Sequence, residues 1–231
     1  MTEYAGEYLT DDEIRDCIQY AVDHKREDGW MPDRVYSDGT AVYAAGEAGS
    51  PVGEANLDNT PFLVIAAYFY LKRIDAKEAR VLYGKWEADL SRGLEIVPLS
   101  ENGLVYNDPG KPHSPYGFTD TIGKTGELFM ESLLFWRGCA MLAELSEAFG
   151  SARLTAFDRK AEKITAQIEH LYDPSLGVFL AASEDCRQAD VWGNAYLLYI
   201  GFPVREEFRE GILSFLKEHS SEYLYLSLIH I

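Results

Sequence analysis

The sequence predicts an all-α fold, a partial (α/α)6 toroid of about three and a half helical hairpins with short β-hairpins in the long loops. Three observations predict it. Helices that are apolar on nearly every face alternate with helices that carry a single apolar stripe. Short connections alternate with long ones. Gly29, Gly103 and Gly177, each followed by apolar residues, recur at an equal interval of 74 residues, which is typical of repeated supersecondary units.

Seven helices are predicted from hydrophobic periodicity and from their end signals. The first opens on a capping box, Thr10-Asp11-Asp12-Glu13, and the second on an N-cap and proline pair, Thr60-Pro61. Glu127 is placed in the first turn of the fourth helix, as a cap or dipole partner. The predicted helices cover about 10–29, 60–74, 76–93, 124–149, 152–172, 191–200 and 206–219.

The second, fourth and sixth helices are predicted to be inner, because a helix without a polar face must be surrounded by protein. The other four are predicted to be outer. Each long loop runs from an outer helix to the next inner one, so the long loops gather on one face, where function is usually found. Since six hairpins at this interval need roughly 440 residues, the chain corresponds to about half a ring.

The composition excludes several function classes. A formal charge of −17 disfavours nucleic acid and anionic membrane surfaces. The three cysteines show no CxxC spacing, no metal-ligand spacing is present, and no glycine-rich motif supports a nucleotide cofactor. No signal peptide opens the chain and its longest apolar run is too short for a bilayer, so a soluble, cytoplasmic protein without metal or cofactor is expected.

Each long loop reaches its inner helix through an aspartate: Asp58, Asp120 and Asp190. Such aspartates cap helices routinely, so capping is the first alternative for each. Three carboxylates on one face also suit sugar hydroxyls. Glycoside hydrolysis needs two carboxyl groups across the scissile bond, and Asp120 is the first choice for the acid. His113 is a lone loop histidine.

Aromatic residues crowd the same loops and could stack on the apolar faces of a sugar. The alternative is that they pack under the loops, and for Tyr43 and Tyr106 both alternatives stay open. The loop aromatics are Trp30, Tyr36, Tyr43, Tyr106, Tyr116, Phe118 and Trp192.

Four segments resemble bacterial six-hairpin glycosidase-like proteins, distant relatives of trehalases, glucoamylases and processing α-glucosidases. They are Asp33-Arg34-Val35 with Asp38 to Tyr43, Leu57 to Phe62, Tyr116-Gly117-Phe118-Thr119-Asp120-Thr121 continued to Gly126, and Asp190-Val191-Trp192-Gly193-Asn194-Ala195-Tyr196. The resemblance covers about residues 28–202 and implies a sugar site over the N-termini of the inner helices. It implies catalytic roles for Asp120 and Asp190, and substrate binding by Asp58, Asn59, Trp30, Tyr43, Tyr116, Phe118, Lys124 and Trp192.

The resemblance implies a fragment of a hydrolase that cleaves O-glycosidic bonds of an α-linked gluco-type or related sugar with an inverting acid and base. A small-molecule or oligosaccharide substrate follows. The alternatives are a sugar epimerase or polysaccharide lyase on the same toroid, and a non-catalytic carbohydrate-binding protein.

The late hairpins of the resembled proteins, and with them the usual catalytic base, are missing from this sequence. Residues 1–225 are expected to form the partial toroid, and 226–231 a non-native tail. The inner helices exposed by a partial ring predict self-association.

Overall fold

The computed structural model describes residues 8–45, 53–115, 123–151 and 154–220, and its helices confirm the all-α prediction. Seven α-helices lie in these ranges, and a short 3-10 helix, Ile168–Leu171, follows the fifth of them. The α-helices are α1 (Asp11–Asp23), α2 (Asn59–Arg73), α3 (Ala76–Glu95), α4 (Phe129–Phe149), α5 (Leu154–Gln167), α6 (Val191–Tyr199) and α7 (Glu206–Glu218).

Inner and outer helices pack as the alternation of apolar patterns predicts. In the inner layer α2 packs on α4 and α4 on α6, while α3, α5 and α7 each cover the inner helix that precedes them in the chain. Most of α4 is buried. On α6, by contrast, Trp192 is 68% exposed and Tyr199 is exposed as well. The described chain is therefore a partial, toroid-like array of helical hairpins.

Three two-stranded antiparallel sheets lie in the long links, as predicted. Gly29, Gly103 and Gly177 all have positive φ, between 72° and 112°, so the equal sequence interval corresponds to a repeated backbone conformation. Gly177 lies in the turn between two strands and does not begin a hairpin. The paired strands are β1 (Arg34–Val35) with β2 (Ala41–Val42), β3 (Tyr106–Asn107) with β4 (Gly126–Glu127), and β5 (Tyr172–Asp173) with β6 (Val178–Phe179).

The predicted start of the fourth helix is wrong. The helix begins at Phe129, because Gly126 and Glu127 form a short strand that pairs with β3. Glu127 is consequently not a cap: its Oε1 accepts hydrogen bonds from Ser100 Oγ at 2.7 Å and from Asn102 Nδ2 at 2.8 Å. The pairing partner of β4 lies twenty residues earlier in the chain, so local periodicity could not indicate this strand.

Two other ends differ from their predicted positions. The first helix ends at Asp23, well before Gly29, and α5 ends at Gln167, where the 3-10 helix continues to Leu171. The predicted capping box of α1 is confirmed, with Glu13 N–H donating to Thr10 Oγ1. No helix in the described ranges combines the length and apolar character needed to cross a membrane.

Candidate functional site

The second and third long loops form one hydrogen-bonded unit around the start of α4. Leu128 N–H donates to the carbonyl of Val105 in the second loop at 2.9 Å. Phe129 N–H donates to the carbonyl of Ala181 in the third loop at 3.1 Å, and Glu127 N–H donates to Ser183 Oγ. The N-terminus of α4 is thereby fixed between two loops.

The N-terminus of α6 is held against the same place. The rings of Phe129 and Phe179 stack with centroids 4.6 Å apart and planes 6° apart. The side chain of Asn194 in α6 accepts from Phe179 N–H at 3.0 Å and donates to the Phe179 carbonyl at 2.8 Å. These contacts fix α6 against β6 and bring the first turns of α4 and α6 together.

A buried charge cluster lies between these two helix N-termini. Lys124 Nζ donates to Glu131 Oε1 at 2.7 Å, and the two residues are 4% and 1% exposed. Glu131 is in the first turn of α4. Asp190, the N-cap of α6, is 9% exposed and interacts electrostatically with both residues. Lys124, Glu131 and Asp190 are called the charge cluster below.

Burial and charge act on the two paired groups in opposite ways. Burial by itself would lower the pKa of Lys124, but the carboxylates of Glu131 and Asp190 outweigh it and raise that pKa above its ordinary value. Burial raises the pKa of Glu131, and the nearby Asp190 adds to the rise, although the Lys124 ammonium opposes it. Lys124 is therefore a stable cation that faces two carboxyl groups.

Each carboxyl group of the cluster has one oxygen committed to structure. Asp190 Oδ1 accepts from Gly193 N–H at 2.8 Å, so the capping alternative is confirmed for this aspartate. Glu131 Oε1 is committed to Lys124. The second oxygens, Asp190 Oδ2 and Glu131 Oε2, are buried and accept no hydrogen bond from any described residue.

Cys186 adjoins the charge cluster and has an unusual backbone. Its φ is +69°, which is rare for a residue with a side chain and occurs often at functional sites. The thiol is half-buried and lies within electrostatic range of Lys124, Asp190 and Glu131. Burial is the main cause that raises its pKa.

A second group of predicted residues surrounds the N-terminus of α2. Asn59 Nδ2 donates to the carbonyls of Met31 at 3.0 Å and Tyr43 at 3.1 Å, so its amide anchors the first long loop. Tyr43 donates its hydroxyl hydrogen to the His24 carbonyl at 2.9 Å. Asp58 is buried, but its side chain makes no capping hydrogen bond, which excludes capping for this aspartate.

Trp30 packs under the loops and is not exposed on their surface. Trp30 is buried, and its ring centroid lies 5.4 Å from that of His113. His113 Nδ1 in turn lies 3.1 Å from the Ala55 carbonyl oxygen. Trp192 is the opposite case, because it is exposed in the first turn of α6, beside Asp190.

The side chain of Asn107 connects the two groups. Asn107 Nδ2 donates to the Lys124 carbonyl at 2.7 Å, and Asn107 Oδ1 accepts from His113 N–H at 2.7 Å. The next residue, Ser114, accepts through its carbonyl from Leu57 N–H, directly before Asp58. The charge cluster and the α2 group therefore belong to one face of the helical array.

The structure brings together Lys124 and Asp190 of the predicted site residues, and Trp192 follows Asp190 by two residues in the first turn of α6. Tyr116, Phe118 and Asp120 lie outside the described residues. Sequence reasoning missed Glu131, although a signal exists: it is the single charged residue in the otherwise apolar stretch 128–135. The substrate-binding and catalytic roles of the predicted residues stay predictions.

In the described part of the chain, the charge cluster is neither a metal-binding group nor part of either of the two pockets described below. Among the described residues, no group of three or more histidine, cysteine, aspartate or glutamate side chains could hold a metal ion. A pocket of about 310 Å³ lies behind the third loop, lined by Tyr172, Asp173 and Arg187 among others, and one of about 360 Å³ lies between α4 and α5. Neither is lined by a residue of the cluster.

Several solved structures share this fold, and two of them are described here. The first is a rhamnosidase from Klebsiella oxytoca with rhamnose bound, with a TM-score of 0.68 and 18% identity over 90% of this chain. The second is a GH78 family rhamnosidase of Bacillus sp. GL1, with a TM-score of 0.66 and 13% identity over 95% of this chain. No protein-family model matches the sequence, and neither does any curated protein.

The likeness confirms a glycoside hydrolase-like fold and shows nothing finer. The chain spans 38% of the Klebsiella protein and 24% of the Bacillus protein, so it corresponds to a part of each. The finer resemblance to six-hairpin relatives such as trehalase stays a prediction.

Proposed function

We propose that this chain is part of an O-glycoside hydrolase and supplies a portion of its sugar site. The observation that carries the proposal is the charge cluster at the N-termini of α4 and α6, in a fold shared with two rhamnosidases. The fixed carboxyl groups, and the exposed ring of Trp192 in the first turn of α6, are the two kinds of group that a sugar uses.

The proposed sugar is rhamnose or a close relative. The family resemblance implies an α-linked gluco-type or related sugar. It does not specify how the hydroxyl groups of that sugar are arranged. Both solved structures are rhamnosidases, and one of them contains rhamnose. We therefore place rhamnose before glucose among the candidate ligands.

The proposed chemistry uses two carboxyl groups in an inverting mechanism. Asp120 is proposed as the acid that protonates the glycosidic oxygen, on the sequence motif that contains it. Asp190, the second proposed catalytic carboxyl of this chain, is proposed to hold the sugar at the reacting bond through Oδ2, the oxygen that is not used in capping, and it is not the base. A base from a later hairpin of the complete protein would activate the water, and the activity belongs to that protein.

Sugar binding by the chain itself tests the proposal. Rhamnose and methyl rhamnoside should raise the midpoint of thermal unfolding as their concentration rises, and glucose should do so less. The Trp192→Ala variant should lose most of the rise, because a stacking surface is removed. Tyr8→Ala is the matched control: Tyr8 is also an exposed aromatic, and the adjacent Leu9 contacts Arg73 at the far end of α2.

The outcomes separate the candidate functions. No response to any sugar at millimolar concentration would remove the sugar site altogether. Binding by this chain, with release of nitrophenol from nitrophenyl rhamnosides by the complete protein, would support the hydrolase. Binding without hydrolysis by the complete protein would favour the alternative of a non-catalytic carbohydrate-binding protein.

A further inference from the structure

We infer that Glu131, together with Asp190, reads the hydroxyl groups of the bound sugar. In this inference Glu131 Oε2 and Asp190 Oδ2 each accept a hydrogen bond from one hydroxyl of a monosaccharide, while Lys124 and the α6 backbone hold the two carboxyl groups in place. The inference rests on the proposed function and adds a contact residue, Glu131, that the sequence motifs do not indicate.

The two oxygens, Glu131 Oε2 and Asp190 Oδ2, are both buried. A buried carboxylate oxygen without a hydrogen-bond donor carries a desolvation penalty, which is larger if the group is charged. Neither Glu131 Oε2 nor Asp190 Oδ2 receives a hydrogen bond from the described residues. Two such oxygens within one cluster are the polar groups that a ligand with donors would complete.

The charges of the cluster indicate which ligand fits. Lys124 offers one positive charge to two carboxyl groups, so the cluster holds no surplus positive charge. An anion is therefore disfavoured. A metal ion is disfavoured too, because the Lys124 ammonium already occupies Glu131 Oε1. A hydroxyl group can donate to a carboxyl oxygen and can also accept from a protonated one, so the remaining class is a neutral molecule with several hydroxyl groups.

The two carboxyl groups are oriented before any ligand arrives. Lys124 fixes Glu131 through Oε1, and Gly193 N–H fixes Asp190 through Oδ1. Both groups also lie in or at the first turn of a helix, where the helix dipole favours the ionised carboxylate. Such preorganisation reduces the entropy lost when a ligand is bound.

Two isosteric variants test the inference, because each can keep its structural hydrogen bond while it replaces the second oxygen with an NH2 group and removes the ionisable carboxyl. In Glu131→Gln the amide oxygen can still accept from Lys124, and in Asp190→Asn it can still cap α6. In both, the remaining acceptor becomes an NH2 donor that faces a hydroxyl. Each variant should weaken rhamnose binding at least about tenfold, as expected for a lost hydrogen bond to a charged group.

Glu127→Gln is the matched control. Glu127 is in β4, on the same face, but its Oε1 is committed to Ser100 and Asn102. The affinity of the Glu127→Gln variant for rhamnose should stay within about twofold of that of the unaltered chain. A twofold change corresponds to less than about half a kilocalorie per mole of binding free energy.

Cys186 provides an independent readout beside the cluster. Alkylation by iodoacetamide, followed residue by residue with mass spectrometry, should be slowed at Cys186 by saturating rhamnose. Cys17 is exposed on α1 and should react at an unchanged rate, as an internal reference. In Glu131→Gln the protection of Cys186 should be lost at the same sugar concentration.

The possible results distinguish a failure of the proposed function from a failure of the inference about Glu131. If the unaltered chain binds no sugar, the proposed function fails and the inference with it. If the unaltered chain binds rhamnose and both isosteric variants bind equally well, only the inference is overturned. Protection of Cys186 by Ca²⁺ alone would also overturn it, because a cation would then be the ligand. Should Glu131→Gln fail to fold, Asp190→Asn still decides whether the cluster contacts the sugar.

Discussion

Gly193 in α6 lies against the ring of Phe129 in α4 so closely that no side chain fits between them. A Cβ at residue 193 would come within 2.6 Å of Phe129 Cδ1 and within 2.8 Å of Asp190 Oδ2. The missing side chain is therefore what allows the first turns of α4 and α6 to meet. The charge cluster depends on this close approach.

The Gly193→Ala variant should be less stable than the unaltered chain by about 1–3 kcal/mol, because the added methyl group overpacks a buried contact. Urea unfolding measures the difference. Gly84→Ala is the control: Gly84 is also in a helix, a Cβ there would meet no neighbouring side chain within 4 Å, and its replacement should stabilise by about 0.5–1 kcal/mol. Equal effects of the two substitutions would contradict the close approach.

The stability of Glu131→Gln should depend on pH in a predictable direction. Burial raises the pKa of Glu131 in the folded chain above the ordinary value of 4.5, so the unfolded chain ionises first as the pH rises. The folded state then loses relative stability, and this loss grows until the pH passes the raised pKa.

The variant has no such group, so the difference between its unfolding free energy and that of the unaltered chain should shift in favour of the variant as the pH rises from the ordinary pKa of 4.5 to the raised pKa. Urea unfolding of both proteins across this range measures the difference. A difference that is constant with pH, or that decreases, would show that Glu131 has no raised pKa.

The two oxygens of Asp190 should have separable effects on stability. Asp190→Asn retains an acceptor for Gly193 N–H and should change the unfolding free energy little, whereas Asp190→Ala removes the cap and should cost about 1–2 kcal/mol. Chemical unfolding at neutral pH compares them. If Asn is as costly as Ala, the carboxylate charge and not the cap holds α6.

Cys139 should resist thiol reagents in the folded chain. It is fully buried in α4, and burial raises its pKa to about 12, so almost no thiolate forms at neutral pH. Cys17 on α1 is exposed and should be alkylated rapidly. Mass spectrometry after graded exposure to iodoacetamide orders the sites, and early labelling of Cys139 would mean that α4 opens.

The helices were largely predictable because their evidence is local. The capping box at Thr10 places the start of α1, and the periodicity of α7 indicates both of its ends. The Thr60-Pro61 pair indicates that a helix starts there, but its assignment as N-cap and first position is wrong: the N-cap is Asp58 and α2 begins at Asn59. The start of α4 was not predictable, since Gly126 adopts φ of +81° in a strand whose partner is far away in the chain.

The site was predictable only where a residue type stands out. Asp190 precedes an apolar helix and is recognisable as a cap. Glu131 is hidden in a stretch that periodicity assigns to the core, and only its pairing with Lys124, seven residues earlier, explains why a charge is tolerated there. Asn59 belongs to a recognisable motif, yet its carbonyl partners belong to the first long loop.

The hydrogen bonds that tie Leu128 to Val105 and Phe129 to Ala181 join segments that are well separated along the chain. Contacts of this kind form late in folding, because the entropy of closing long loops must be overcome first. A nascent chain that ends before Ala181 could hold α1 to α4 as helices and still lack Asp190, the third residue of the charge cluster. The order of synthesis would then decide when ligand affinity arises: it would come only with the third loop and α6.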